Sequence, residues 1–159
     1  MRTTKIIAAI LVGAIGLLFF LDNLFSLDAA YSVVSYVISG AEQPYYKIMG
    51  PTITAGWLTW LTLLTIMAGE LAVGVLCFSG ALKMFQARLA PADEFQRAKT
   101  KALLGAFIGV VVWYGFFIII GEAYFNMWQT ATGVGSVAGA FRYGSVCAVL
   151  MFYISSRDE

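Results

Sequence analysis

Four long apolar runs dominate this 159-residue sequence and limit what it can fold into. They lie at about residues 6–21, 53–82, 102–121 and 135–154. A helix crossing the hydrocarbon core of a bilayer needs about 20 mostly apolar residues, and each run is that long or nearly so. Backbone groups in hydrocarbon must bond within their own segment, so single spans of this length read as helices. Strands of a membrane barrel would be shorter and would alternate in polarity, a pattern absent here. Composition agrees, with 60% apolar and 12% charged residues; a soluble domain has about half and about a quarter. In water such a chain would expose large apolar patches. The expected fold is all-α: an integral membrane four-helix bundle, one domain over residues 1–159, without an internal repeat.

The few charges set the expected orientation. Arg2, Lys5, Lys83, Arg88, Arg97, Lys99, Lys101 and Arg157 fall on one side of such a bundle, while Lys47 and Arg142 fall on the other. Basic loops stay in the cytoplasm, so both termini are expected there. The first run has a basic start and stops at Asp22-Asn23 without a small-residue cleavage site, so it reads as a retained helix rather than a signal peptide. The second begins just after Pro51, a residue tolerated in a first helical turn. In the cytoplasmic hairpin tip, about residues 83–101, Pro91 can open a helix. Asp93 and Glu94 then occupy its first turn, with Lys99 and Lys101 further on, an order that suits the helix dipole. Residues 91–121 are expected to form one helix after a tight turn near Leu89-Ala90. Its first ten or so residues would project by about 15 Å. On the outer side, the loop from Asn23 to Gly50 holds a candidate short amphipathic helix. Asp28 can cap it, Ala30, Val33, Val34, Val37 and Ile38 form its apolar face, and Gly40 can end it. It would lie flat on the leaflet or lid the bundle. Tyr45, Tyr46, Trp57, Tyr124 and Trp128 fall near the outer boundary, where amphipathic rings prefer to sit.

The absence of histidine excludes histidine-ligated haem, histidine-bearing zinc sites and Ser-His or Cys-His nucleophiles. Cys77 and Cys147 sit inside apolar runs and read as inert small hydrophobes. There is no phosphate loop, dinucleotide fingerprint, CxxC or HExxH, so no cofactor or metal is implied. A net charge of +1 argues against a nucleic-acid partner.

Three features remain. Glu70 lies mid-span, where a carboxylate costs several kcal/mol unless paired, wetted or neutral. It reads either as a proton or ion site or, preferred because no second acid is seen at its depth, as a packing group bonded to a neighbouring helix. Glu122 ends the third span and Arg142 lies about seven residues, or about 10 Å, into the fourth. The two are expected to form an ion pair at the outer edge, completed by Asn126, Gln129 or Asp22. It would serve as a structural lock or as the polar mouth of a ligand site. Third, Gly105/Gly109, Gly135/Gly139, Ala140/Gly144 and the Thr62, Thr65, Gly69, Ala72 face allow close helix approach in lipid. Trp113 and Tyr114, mid-span, suit core packing better than contact with a flat ring ligand.

The run Gly121-Glu122-Ala123-Tyr124-Phe125-Asn126-Met127-Trp128-Gln129-Thr130, with Ala140-Phe141-Arg142 beyond it, resembles the signature of a bacterial family of predicted small integral membrane proteins, a domain of unknown function. Length, four-span layout and charged hairpin are similar too; residues 131–139 depart from the family's more polar stretch. The resemblance implies a bacterial inner membrane and brings no activity. It singles out Glu122, Met127, Trp128, Gln129, Phe141 and Arg142 for testing. Three functions are expected in order. The first is a non-enzymatic accessory or assembly subunit of a membrane complex. The second is a small oligomeric transporter or channel using Glu70. The last is a lipid-acting enzyme using Glu70 or Glu122 as base. The expected partners are membrane lipid and another membrane protein, or a second copy engaged through small helix faces.

Overall fold

The computed structural model describes residues 1–158, and the regular secondary structure among them is all helix. Four helical stretches are long and apolar enough to cross a membrane: Arg2–Phe25, Gly56–Gln86, Ala92–Tyr124 and Ala131–Ser155. We label the elements α1 (Arg2–Phe25), α2 (Leu27–Ile38), α3 (Gly56–Gln86), α4 (Ala92–Ala98), α5 (Thr100–Val110) and α6 (Ala131–Ser155). Between α5 and α6 the third spanning stretch continues as a π-helix over Val111–Tyr124, followed by a 3₁₀ turn at Met127–Gln129.

Helix α1 packs most extensively on α3, and α3 on α5. The α1–α3 pair is antiparallel: Gly13 lies against Cys77, and Gly16 against Val73 and the Glu70 carbonyl. A Cβ at Gly16 would collide with that carbonyl, so the missing side chain sets how closely the two backbones approach. Gly80 does the same where α3 meets the backbone of Ala102 on α5. The central core joins Val12, Ile66, Val73, Cys77, Ala106, Val112, Trp113, Ala140 and Cys147. Both cysteines are free and buried.

Several boundaries differ from the sequence expectation. Helix α3 starts at Gly56 rather than just after Pro51, because the Ile53 N–H is given to the Ile38 carbonyl, 2.8 Å away, and Ala55 is in extended backbone. Ser26, not Asp28, stands at the start of α2, and Asp28 sits in its first turn. Gly40 does close that segment, at φ +68°, where a side chain would be strained. Helix α2 buries Val37 and Ile38 against Phe125 and Met127, so it lids the bundle instead of lying flat on a leaflet. Helix α6 starts at Ala131, capped by the Thr130 hydroxyl, which accepts from the Gly133 N–H at 3.1 Å.

At the end of the bundle that carries both termini, three distant stretches are tied together. Arg2 donates to the carbonyls of Arg88, at 3.0 Å, and of Ala90 in the α3–α4 turn. Lys5 and Lys99, both buried, converge on the carboxylate of Asp158 and on the Ser156 carbonyl. Burial works against the charge of Asp158, but hydrogen bonds from Lys5 and Lys99 outweigh it and hold its carboxyl below the usual carboxylate range. Phe95 fills the space beside them, with Arg2 and Lys99 over its ring.

Candidate functional site

The chain breaks its helix at Ser26, with φ −122° and ψ 40°, so α1 stops and α2 begins within one residue. Asp22, Asn23 and Ser26 sit at this break. Asp22 and Ser26 are one turn apart and share a face. A cavity of about 420 Å³ opens beside them. Its walls come from the break, from Leu63, Ile66 and Glu70 of α3, from Trp113 and Phe117 of the π-helix, and from Gly135, Ser136, Gly139, Ala140 and Tyr143 of α6.

Glu70 is 1% exposed. At helical rise it lies about 21 Å from the Gly56 end of α3, deep in the span. Its Oε2 accepts a hydrogen bond from Asn23 Nδ2 at 2.9 Å. No other hydrogen bond reaches its side chain among the described residues, and the residue faces the cavity. The Gly16 contact makes this possible: it sets the α1–α3 register that brings Asn23 opposite Glu70. Asp22 lines the same cavity. Glu70 therefore has a second acid at its own depth, contrary to the sequence expectation that it stands alone. Antiparallel pairing of the first two spans lowers the end of α1 to the middle of the longer α3.

Three aromatic rings complete the wall. Phe19 and Tyr143 are 4.5 Å apart between centroids, Phe19 and Trp113 5.9 Å, and Trp113 and Tyr143 6.1 Å. The π-helix contributes Trp113 to this cluster. Trp113 and Phe117, four residues apart, both face the cavity from this stretch, and π-turns recur at functional sites. Trp113 is 2% exposed, so it is a core residue and a cavity residue at once.

The expected Glu122–Arg142 ion pair is not formed. Among the described residues the salt bridges are Lys5–Asp158 and Lys99–Asp158. Two physical reasons account for this. Because α6 starts at Ala131 instead of about residue 135, Arg142 lies eleven residues, about 17 Å, below its start. The π-winding also changes the angular position and rise of Glu122 relative to an α-helix. Arg142 is exposed on α6 and has no hydrogen bond or ion pair among the described residues, while Glu122 is only partly exposed. Nor do Asn126, Gln129 and Asp22 serve such a pair. Asn126 adopts a left-handed conformation and donates to the Lys47 carbonyl at 3.2 Å. Gln129 instead clamps the loop before α3. Its Oε1 accepts from the N–H groups of Tyr45 and Tyr46, at 3.0 and 2.7 Å, and its Nε2 donates to Gln43 and to the Tyr46 carbonyl. Trp128 packs on Tyr46 at 5.8 Å between ring centroids. Phe141 is exposed beside Tyr114, and Met127 is buried under α2.

Of the residues singled out from sequence, the structure thus unites Glu70 with Asp22 and leaves Glu122, Trp128, Gln129 and Arg142 elsewhere. Sequence reasoning missed Asn23 as the partner of Glu70, and missed Phe19 and Tyr143 as cavity walls. The polar Asp22-Asn23 step at the end of an otherwise apolar run was the available signal.

A family model described as "Predicted small integral membrane protein (DUF2165)" matches residues 1–157. No curated protein and no solved structure matches the chain.

Proposed function

The chain belongs to this family of predicted small integral membrane proteins, and from that premise we propose that its working part is the Glu70 cavity and its activity that of a small transporter handling a cation. One observation carries the reading. A carboxylate buried to 1% exposure in a membrane bundle lines a cavity and shares it with a second acid, Asp22. Ionisable groups at such depth are expensive to keep and mark ion or substrate paths. No lysine or arginine lines the cavity among the described residues, so its charge favours cations. Four helices do not enclose a continuous polar path, so movement across the bilayer requires several copies or a rocking of the helices. In this reading the protein is not an enzyme.

Proteoliposomes test it. Under an imposed pH gradient and potential, wild-type vesicles should pass protons or cations faster than protein-free vesicles, and Glu70→Gln vesicles should not. Wild-type flux at the protein-free level, or full flux in Glu70→Gln, would overturn the reading.

A second reading, an accessory subunit of a larger complex, is favoured by Arg142. An exposed guanidinium midway along an apolar spanning helix calls for a carboxylate from another chain. Cross-linking from position 142 in native membranes would capture that chain.

We place the protein in a bacterial inner membrane with both termini in the cytoplasm. The support is the gathering of Arg2, Lys5, Arg88 and Lys99 at one end of the bundle. Leu89 and Tyr45, 88% and 80% exposed, mark the two ends. On intact cells an impermeant maleimide should label Tyr45→Cys and not Leu89→Cys. The reverse pattern would invert the topology.

A further inference from the structure

We propose that the cation taken by the Glu70 cavity is an amphiphilic organic cation, an ammonium or phosphonium with an apolar body, and that it enters sideways from the bilayer between the α1–α2 break and α6. This rests on the reading of the cavity as the working site.

The chemistry of the walls separates this class from others. An inorganic cation such as calcium takes six to eight oxygen ligands, and magnesium a near-octahedral set. Here the polar groups are few and the walls are mainly apolar side chains. Phe19, Trp113 and Tyr143 instead form a contiguous cluster, with centroid separations of 4.5 to 6.1 Å. The faces of such rings attract a diffuse positive charge, most strongly where water is excluded. Glu70 and Asp22 supply the counter-charge, and Asn23 fixes one Glu70 oxygen while the other carries no hydrogen bond among the described residues. Few polar groups in a mostly apolar, aromatic wall is the pattern of a small-molecule site, and about 420 Å³ lies within the usual range of about 300–1,000 Å³.

The route follows from α6. Gly135 has no heavy atom within 4 Å of where a side chain would begin, and Gly139 lines the cavity one turn away. The α6 wall is therefore thin on the side facing the helix break. A cation with an apolar body concentrates in the bilayer and meets this opening directly.

Tritiated tetraphenylphosphonium is the probe, measured on protein in lipid nanodiscs against empty discs. Saturable binding is expected, weakened about tenfold or more in Glu70→Gln and several-fold in Tyr143→Leu, the loss anticipated for removing a counter-charge or a ring from a desolvated cation site. Asp22→Asn, which removes the second counter-charge of the cavity and leaves both groups of the Asn23–Glu70 hydrogen bond in place, provides a second weakened variant should Glu70→Gln fold poorly. Gly135→Leu, which has open space to occupy, should slow association without loss of fold. Neutral triphenylphosphine oxide should not compete. Equal competition by the neutral compound, or affinity unchanged in both Glu70→Gln and Asp22→Asn, would overturn the inference. So would an absence of saturable binding. If Glu70-dependent proton flux persisted in that last case, the transporter reading would stand and only the ligand class would fall; if flux were absent too, both would fall.

Discussion

Removing the side-chain amide of Asn23 isolates the contact on which the cavity is organised. Asn23→Ala deletes the 2.9 Å hydrogen bond to Glu70 and leaves a buried carboxyl oxygen without its donor. An unsatisfied buried acceptor costs about 1–3 kcal/mol. Interhelical hydrogen bonds in membranes are weaker on average, about 0.6 and at most about 1.7 kcal/mol, because the unfolded chain also finds partners. A loss of about 1–2 kcal/mol is therefore expected. The discriminating step is to repeat the change in a Glu70→Met background. There the acceptor is gone, the volume is kept, and Asn23→Ala should cost less than about 0.5 kcal/mol, since removing both polar partners is nearly neutral. Unfolding in mixed dodecyl maltoside and SDS micelles, followed by circular dichroism, gives the four free energies. The coupling should be about 1 kcal/mol. Additivity within the usual spread of about 0.3–0.5 kcal/mol would mean that Asn23 and Glu70 do not meet, and the account of the cavity would fail with them.

Three other outcomes follow from the geometry. Glu122→Gln and Arg142→Gln should add within about 0.5 kcal/mol, since the two groups are not paired; a coupling above that, in the same micelle assay, would restore the ion pair within the chain. Asp158 has a carboxyl held below its ordinary value of 3.8, so its contribution is complete above that value and is lost as pH falls through the lower folded value. Thermal unfolding in detergent should thus show a loss of stability as pH falls below that ordinary value, which Asp158→Ala abolishes while costing about 1–3 kcal/mol at neutral pH. At the α3–α5 crossing, Gly80→Val would drive a side chain into the backbone of Ala102, and a cost of about 1–3 kcal/mol should appear as lower yield of folded protein.

Helix number and position were legible because a bilayer imposes a minimum apolar length, and four runs met it. Glu70 was legible for the related reason that a single acid inside such a run stands out. Its surroundings were not. The Asn23 contact depends on the register of α1 against α3, which Gly16 sets through a steric limit visible only once the two backbones are placed. The Glu122–Arg142 expectation assumed α-helical winding and a late start to α6. The fourteen residues of π-helix and the Thr130 cap removed both assumptions. Gln129 was read as an accessory to that pair, yet its amide can satisfy three backbone groups of the loop at once, a use that no spacing rule singles out. Asp158 went unnoticed, since an aspartate beyond the last apolar run gives no hint that two lysines will converge on it.

That convergence has a consequence for the order of assembly. Lys5 emerges from the ribosome early, and its acceptor follows 153 residues later. Through most of synthesis the first helix can pair with the second span but holds an unneutralised ammonium group at its base. The Lys5–Asp158 contact therefore joins the first span to the tail of the fourth, and it can form only after every other element has been made.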